Sequence, residues 1–209
     1  AISRGLVGSE MCIRDRSPSG DLYDGLINDY EFGMTKKETS SIFEEMKPRL
    51  LDLRQRISEA KLSKPVLEGD FNTEKQLKLA HEIAETFFYD FDRGRIDIVA
   101  HPFCSGGGDD VRITTRVDNK DPFNCLFSTI HEVGHACYEQ NVSSDFLHSP
   151  LGSGVSLGIH ESQSRIFENQ IGRSRQFTRW LFKKMKSYFG EFGIRAVSYT
   201  HLTLPTNGL

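Results

Sequence analysis

The chain has 209 residues, enough for one domain with a buried core, and 26% of them are charged, with a formal net charge of -3. This near-neutral balance indicates neither a nucleic-acid partner nor a membrane surface. No apolar run approaches the roughly 20 residues that a membrane-spanning helix needs. None of the four cysteines belongs to a C-x-x-C pair, which favours a reduced thiol set and a cytoplasmic protein.

Two helices are predicted near the start of the chain. The first covers about Tyr23–Asp29, and the second begins after Thr35, which forms a capping box with Glu38 three residues on. Apolar residues at helical spacing carry the second helix to about Ile57. Pro48 lies inside it, and a kink is expected there because proline removes a backbone donor.

A third helix is predicted over about residues 73–89, where a threonine is again followed three residues later by a glutamine, Gln76. The pattern then changes to alternation of polar and apolar residues over Arg95–Val99 and Val111–Val117, which is typical of half-buried strands. We expect these two strands to form an antiparallel pair. The glycine-rich stretch Ser105–Gly108 between them is expected to be a flexible turn.

The strongest chemical signal is the sequence H-E-V-G-H at residues 131–135. On a helix, His131 and His135 lie on one face, about 5–6 Å apart at Cβ, where both imidazoles can bind one metal ion. Glu132 lies beside them and can act as a general base toward a metal-bound water, as in metalloproteases. Gly134 would let substrate or another backbone pass close by, or it would serve ordinary helix–helix packing.

The surroundings of this motif favour a helix. The pair Asp121-Pro122 is a helix start signal. Apolar residues recur at spacings of three and four, as a buried stripe requires: Leu126, Ile130, Val133 and Cys137.

A catalytic zinc site needs a third protein ligand and an open fourth position. The extended pattern H-E-x-x-H-x-x-G-x-x-H is excluded because Tyr138 and Asn141 replace its glycine and third histidine. Glu161 is the better candidate. It lies in SLGIHESQSRIFEN, whose apolar spacing predicts a second helix that would present Glu161 to the first.

Four ordered blocks together resemble the carboxypeptidase Taq family of zinc metallocarboxypeptidases. They are HPF (101–103), DVRIT (110–114), HEVGH (131–135) and HESQ (160–163). The resemblance extends over about residues 21–193. It implies a mainly α, gluzincin-like zinc-peptidase fold with a small antiparallel β element beside the H-E-x-x-H helix.

The resemblance also implies the function: release of C-terminal residues from peptides, with zinc on His131, His135 and Glu161 and with Glu132 as base. Cobalt or manganese could replace zinc, since nitrogen and oxygen ligands accept several divalent ions. The substrates would be peptides with a free C-terminus, and the parent enzyme could be a homodimer. An endo- or oligopeptidase of the same group, or an inactive truncated fragment, are the alternatives.

Two further residues are candidate substrate contacts. Arg112, in the DVRIT block, could bind a peptide carboxylate through its guanidinium fork, or it could pair with a neighbouring aspartate. His160 could donate to the oxygen on which charge develops during hydrolysis. Its alternatives are a role behind a metal ligand and simple helix packing.

The ends of the chain share nothing with the family's pattern. Residues 1–20 and 196–209 are predicted to be non-native tails, translated from adapter or vector sequence. Residues 21–195 would then be a central fragment of a metallocarboxypeptidase catalytic domain. The family's downstream segments, including one that ends in His-Trp, are absent from the chain.

Overall fold

The computed structural model describes residue 17 and residues 19–60 and 67–193. Apart from residues 17, 19 and 20, the two predicted non-native tails lie outside these described residues. The chain divides into two compact units, one of Ala1–Ser63 with Val155–Gly158 and one of Lys64–Gly154 with Ile159–Leu209. No helix among the described residues is long and apolar enough to cross a membrane.

The first unit contains helices α1 (Leu22–Asn28) and α2 (Lys36–Glu59), close to their predicted positions. The capping box is confirmed: the Thr35 hydroxyl accepts from the Glu38 amide, and the Glu38 carboxylate accepts from the Thr35 amide. Because each group satisfies an amide that has no helical partner, the first turn is stabilised. Helix α2 continues through Pro48, and none of its residues is buried.

The second unit begins with helix α3 (Thr73–Thr86), whose cap lies one residue before the predicted Thr73. Asn72 is the cap, and its side-chain oxygen accepts from the amides of Glu74 and Lys75. Gln76 has no capping role, since its amide is buried and donates to the main-chain carbonyl of Phe71 at 2.5 Å. The helix ends at Thr86, a little before the predicted end at about residue 89.

The sheet has three strands, β1 (Ile96–Ile98), β2 (Cys104–Gly107) and β3 (Asp110–Thr115), in the order β1-β3-β2. The predicted antiparallel pairing of residues 95–99 with residues 111–117 is wrong, because β1 runs parallel to β3. The glycine-rich stretch is itself a strand, and it pairs antiparallel with β3. Gly108 has a φ of +58° in the turn between them, a conformation that favours glycine.

Helix α4 (Pro122–Gln140) carries the H-E-V-G-H motif and is capped by Asp121 as predicted. It packs against α3, β2 and β3. Helix α6 (Arg175–Phe189) packs on α3. The core of this unit consists of buried apolar side chains from these elements, among them Leu79, Ile83, Val111, Ile113, Leu126, Ile130, Val133, Leu181 and Met185.

Helix α5 (Leu157–Arg165) continues into a π-helical segment, Ile166–Ile171. It crosses α4 at Gly134, where an added Cβ would lie 2.5 Å from the Cα of Ser164. The Gln163 amide donates to the Gly134 carbonyl at 3.0 Å. The close approach expected at this glycine is therefore made by another main chain, in a helix–helix contact.

We expect Gly134→Ala to lower the free energy of unfolding by about 1 kcal/mol or more. Alanine is favoured in a helix by about 1 kcal/mol, but overpacking against main-chain atoms costs about 1–3 kcal/mol, and here the neighbour cannot rotate away. Urea unfolding measures the difference. Gly107→Ala is the matched control, since its methyl would meet only an ordinary contact at 3.7 Å. A Gly134→Ala protein as stable as the wild type would contradict this packing.

Candidate metal centre

One turn of α4 brings His131 and His135 together. Their Nε2 atoms lie 3.2 Å apart, and both side chains are largely buried. The separation follows from the helix itself, because residues four apart occupy adjacent positions on one face. Burial and the neighbouring histidines lower the pKa of His135 to about 4. His135 is therefore neutral at physiological pH, the form in which a ring nitrogen can bind a metal.

Helix α5 supplies the third group. The Oε2 atom of Glu161 lies 3.5 Å from His131 Nε2 and 3.1 Å from His135 Nε2. A tetrahedral ion with bonds of 2.0–2.1 Å requires its ligand atoms to be about 3.3 Å apart. The three edges of this triangle, 3.1, 3.2 and 3.5 Å, fit that requirement without any movement of the main chain. Within the described part of the chain, a metal ion could be held by one ligand atom each from His131, His135 and Glu161.

The Glu161 carboxylate is held by its own helix. Its Oε1 accepts from Arg165 Nε at 2.6 Å, while Oε2 accepts from the Ser164 hydroxyl at 2.9 Å. Burial raises the pKa of Glu161, but these hydrogen bonds and the nearby charges of His131 and Arg165 outweigh it, and the net pKa is lowered. The ionised form is therefore favoured, as a metal ligand requires.

Glu168 is a site residue that the sequence interpretation missed. Its Oε2 lies 3.0 Å from His131 Nδ1, and its Oε1 accepts from Arg173 at 2.8 Å. The hydrogen bonds from His131 and Arg173 lower the pKa of Glu168 to about 2. An ionised carboxylate there keeps the His131 proton on Nδ1 and leaves Nε2 free for a metal. It lies seven residues after Glu161, but a π-helical segment begins at Ile166, so regular helical spacing does not place it.

His160 lies behind the other histidine. Its Nδ1 is 2.6 Å from His135 Nδ1, and its Nε2 is 2.7 Å from Glu139 Oε1. The His135 and His160 rings are stacked, with centroids 4.7 Å apart. His160 thus contacts a predicted metal ligand, and Glu139 in turn contacts His160.

Glu132 lies in the same turn as the two histidines and is 8% exposed. Burial raises the pKa of Glu132 to about 7; His131 opposes the increase, and the carboxylates of Glu161 and Glu168 add to it. A carboxyl group with this pKa can both take up and release a proton near neutral pH. The placement is what the motif predicts for a general base.

The remaining candidate, Arg112, is about half exposed on β3. Its Nε and Nη2 atoms form a two-pronged hydrogen bond with the two oxygens of Asp110, both at 2.8 Å. This is the aspartate pairing considered as the alternative to substrate binding. That Arg112 binds a substrate carboxylate stays a prediction.

Cysteine chemistry is disfavoured next to the site. Burial and the carboxylates of Glu132 and Glu139 raise the pKa of the Cys104 thiol to about 12. A thiol with this pKa stays protonated at neutral pH and is a poor nucleophile. The described cysteines Cys104, Cys125 and Cys137 are all free thiols.

Two histidines and a glutamate around one point, with a buried glutamate beside them on an H-E-x-x-H helix, define a site of the metallopeptidase class. The family model described as carboxypeptidase Taq (M32) metallopeptidase matches residues 8–205. Thermostable carboxypeptidase 1 of Thermus thermophilus is 42% identical over 180 residues, 84% of this chain. Carboxypeptidase 1 of Bacillus subtilis is 40% identical over 168 residues, 78% of this chain. The chain therefore belongs to the carboxypeptidase Taq family.

Solved structures agree with this assignment. An M32 carboxypeptidase from Deinococcus radiodurans R1 superimposes with a TM-score of 0.74 and 44% identity, and the match covers 81% of this chain and 34% of that one. Trypanosoma cruzi metallocarboxypeptidase 1 gives a TM-score of 0.76 with 34% identity and 91% of this chain covered, against 40% of its own. The predicted mainly helical fold with a small sheet is confirmed.

The chain spans about a third of the length of the curated relatives that it matches: 35% of the Thermus protein and 33% of the Bacillus protein. The matched third contains both helices of the metal centre described above.

We expect Glu168→Gln to weaken binding of a divalent metal by about 10–100-fold, because it removes the charge that fixes the His131 tautomer while keeping the size of the side chain. Competition with a chromophoric chelator measures the affinity. Glu85→Gln, the same change at an exposed position of α3, is the control and should bind like the wild type. Equal affinity of Glu168→Gln and wild type would show that this carboxylate does not orient the ligand.

Proposed function

We propose that this chain forms the metal centre of a zinc-dependent metallocarboxypeptidase that releases residues from the C-terminus of peptides. The observation that supports it best is the triangle of His131, His135 and Glu161 ligand atoms with Glu132 beside it. Family membership supports the reaction type, since the similar Thermus and Bacillus proteins are named carboxypeptidases. Peptides with a free C-terminus are accordingly the proposed substrates.

Zinc is the proposed metal because two imidazoles and one carboxylate in tetrahedral spacing are its usual catalytic ligand set. Cobalt or manganese would serve as substitutes, since the same donors accept them. When bound, such an ion supplies Lewis acidity toward the scissile carbonyl and lowers the pKa of water. His131, His135 and Glu161 would hold it.

Glu132 is the proposed general base. Its carboxylate takes a proton from the attacking water molecule, so that the water oxygen forms a bond to the carbonyl carbon of the scissile peptide. The protonated Glu132 then gives that proton to the leaving nitrogen as the C–N bond breaks. A pKa raised by burial suits both steps, because the carboxyl group must accept a proton and then release it.

Strand β2 is the proposed docking edge for the substrate main chain. Among the described strands it has a single neighbour, β3, so its other edge is unpaired. It also packs on α4, the helix that carries His131, Glu132 and His135. An extended peptide added along this edge would bind through main-chain hydrogen bonds, which tolerate varied side chains. Ser105 and the two glycines after it are exposed there.

An endopeptidase or oligopeptidase of the same group would use the same metal centre, and it differs only in not needing the substrate carboxylate. Arg112 is the proposed contact for that carboxylate, and it would have to exchange Asp110 for the substrate. Comparing one peptide with a free and with an amidated C-terminus distinguishes the two functions. We also propose a cytoplasmic location, in keeping with the free thiols, and a homodimeric parent enzyme.

We expect Glu132→Gln to keep about one zinc per chain, because all three ligands remain, and to lower hydrolysis by about 10²–10⁴-fold, because a positioned base is lost. Metal content is measured on the 209-residue chain, and hydrolysis is measured on that chain and on any longer gene product that contains it.

Two results would contradict the proposal. A Glu132→Gln protein as active as the wild type would show that Glu132 is not the base. A wild-type chain and longer product that both hold no metal would show that the motif is an ordinary helix segment. Equal cleavage of the free and the amidated peptide would instead favour the endopeptidase. Zinc binding without hydrolysis by the 209-residue chain alone would support the inactive-fragment alternative for that chain.

A further inference from the structure

We propose that Glu139 and His160 are positioning residues that fix the tautomer and orientation of His135 through a two-step hydrogen-bond relay. The proposal rests on the proposed function, because it assigns a role toward the metal that His135 would hold. It also gives His160 a role different from the substrate contact considered from the sequence.

With a metal bound at His135 Nε2, the distances leave one consistent arrangement of protons. His135 directs Nε2 toward the metal triangle, 3.1 Å from Glu161 Oε2, so its own proton must lie on Nδ1. That proton points at His160 Nδ1, 2.6 Å away, which must therefore accept through its lone pair. The His160 proton is then on Nε2, where it is donated to Glu139 Oε1 at 2.7 Å. Every ring nitrogen of the pair then has a partner.

This arrangement leaves His160 no N–H for a substrate oxygen. A group that stabilises developing charge must aim a donor at the reacting oxygen. Of the two ring nitrogens of His160, one accepts from His135 and the other donates to Glu139. His160 can therefore influence the reaction only through His135.

Packing on two sides holds the relay in place. The His160 and Glu139 side chains are 17% and 13% exposed. The Tyr138 ring lies against the His160 ring, with centroids 4.7 Å apart. On a further side, a Cβ added to Gly154 would lie 3.0 Å from His160 Cδ2 and 3.4 Å from Glu139 Oε1. The main chain thus approaches as closely as a glycine permits, so neither side chain has room to turn away from its partner.

The two proposed histidine ligands are therefore held in place by different kinds of partner. His131 donates directly to an ionised carboxylate, Glu168, which also binds Arg173. In the proposed relay, His135 donates to the imidazole of His160, and the Glu139 carboxylate is one ring further away. Because charge-assisted hydrogen bonds are about twice as strong as neutral ones, loss of the Glu139 charge should matter less than loss of the Glu168 charge.

The test compares zinc affinity, by chelator competition, in wild type, His160→Phe, Glu139→Gln and Glu85→Gln. His160→Phe keeps the stacked ring but leaves the His135 Nδ1–H without an acceptor, so we expect zinc affinity to fall about 10–100-fold. Glu139→Gln keeps an acceptor oxygen for His160, so we expect its zinc affinity to fall by less than about 10-fold. Glu85→Gln, at an exposed position of α3, should bind like the wild type.

A spectroscopic readout separates positioning from general loss of stability. We expect the visible absorption spectrum of the cobalt-loaded chain to change in His160→Phe, because the His135 ligand rotates, and to change slightly in Glu139→Gln. Nitrogen-15 spectra of the zinc-loaded wild type should show one histidine ligand protonated at Nδ1 and hydrogen-bonded to a second, uncoordinated histidine. Glu139→Gln has the shape of the native side chain, and it tests the relay even if His160→Phe does not fold.

Wild-type zinc affinity and an unchanged cobalt spectrum in both Glu139→Gln and His160→Phe would overturn the relay. If hydrolysis by a longer product then fell in His160→Phe, His160 would act on the substrate instead. Such results would leave the proposed function intact, because the wild type would still bind zinc. A wild type that binds no metal would overturn the proposed function and the relay together.

Discussion

The close approach of α5 to α4 at Gly134 is the constraint on which the metal centre depends. His131 and His135 are placed by one turn of helix, but Glu161 reaches their Nε2 atoms only because the Ser164 main chain lies against the glycine. A side chain at residue 134 would separate the two helices and enlarge a triangle whose edges now match a tetrahedral ion. One position without a Cβ thus determines whether three protein ligands can share one ion.

The charges around the triangle explain how ionised and neutral groups coexist in a partly buried site. Burying an unpaired charge is costly, and the acidic groups here are paired: Glu161 with Arg165, and Glu168 with Arg173. Glu132 lacks such a cation, and burial raises its pKa to about 7. Carboxylates that lie close together therefore have different proton affinities, as the proposed ligand, orienting group and base require.

Local signals in the sequence predicted the helices and the three residues that form the triangle, whereas non-local pairings were not predictable. The spacing of four between the histidines and the capping residues of α2 and α4 depend only on neighbouring residues, and the structure places them as expected. Strand β2 was missed because Cys104–Gly107 has too few side chains to show alternation, and its pairing with β3 depends on a glycine turn. Glu168 was missed because it lies in a π-helical segment, where the usual helical spacing does not hold.

The most direct test of this metal centre is X-ray absorption spectroscopy at the zinc edge on the zinc-loaded 209-residue chain. We expect about one zinc per chain, with two imidazole nitrogens and one carboxylate oxygen at about 2.0–2.1 Å and one further oxygen from water. Sulfur at about 2.3 Å, or a shell with a single imidazole, would contradict the assignment of His131, His135 and Glu161 as the ligands.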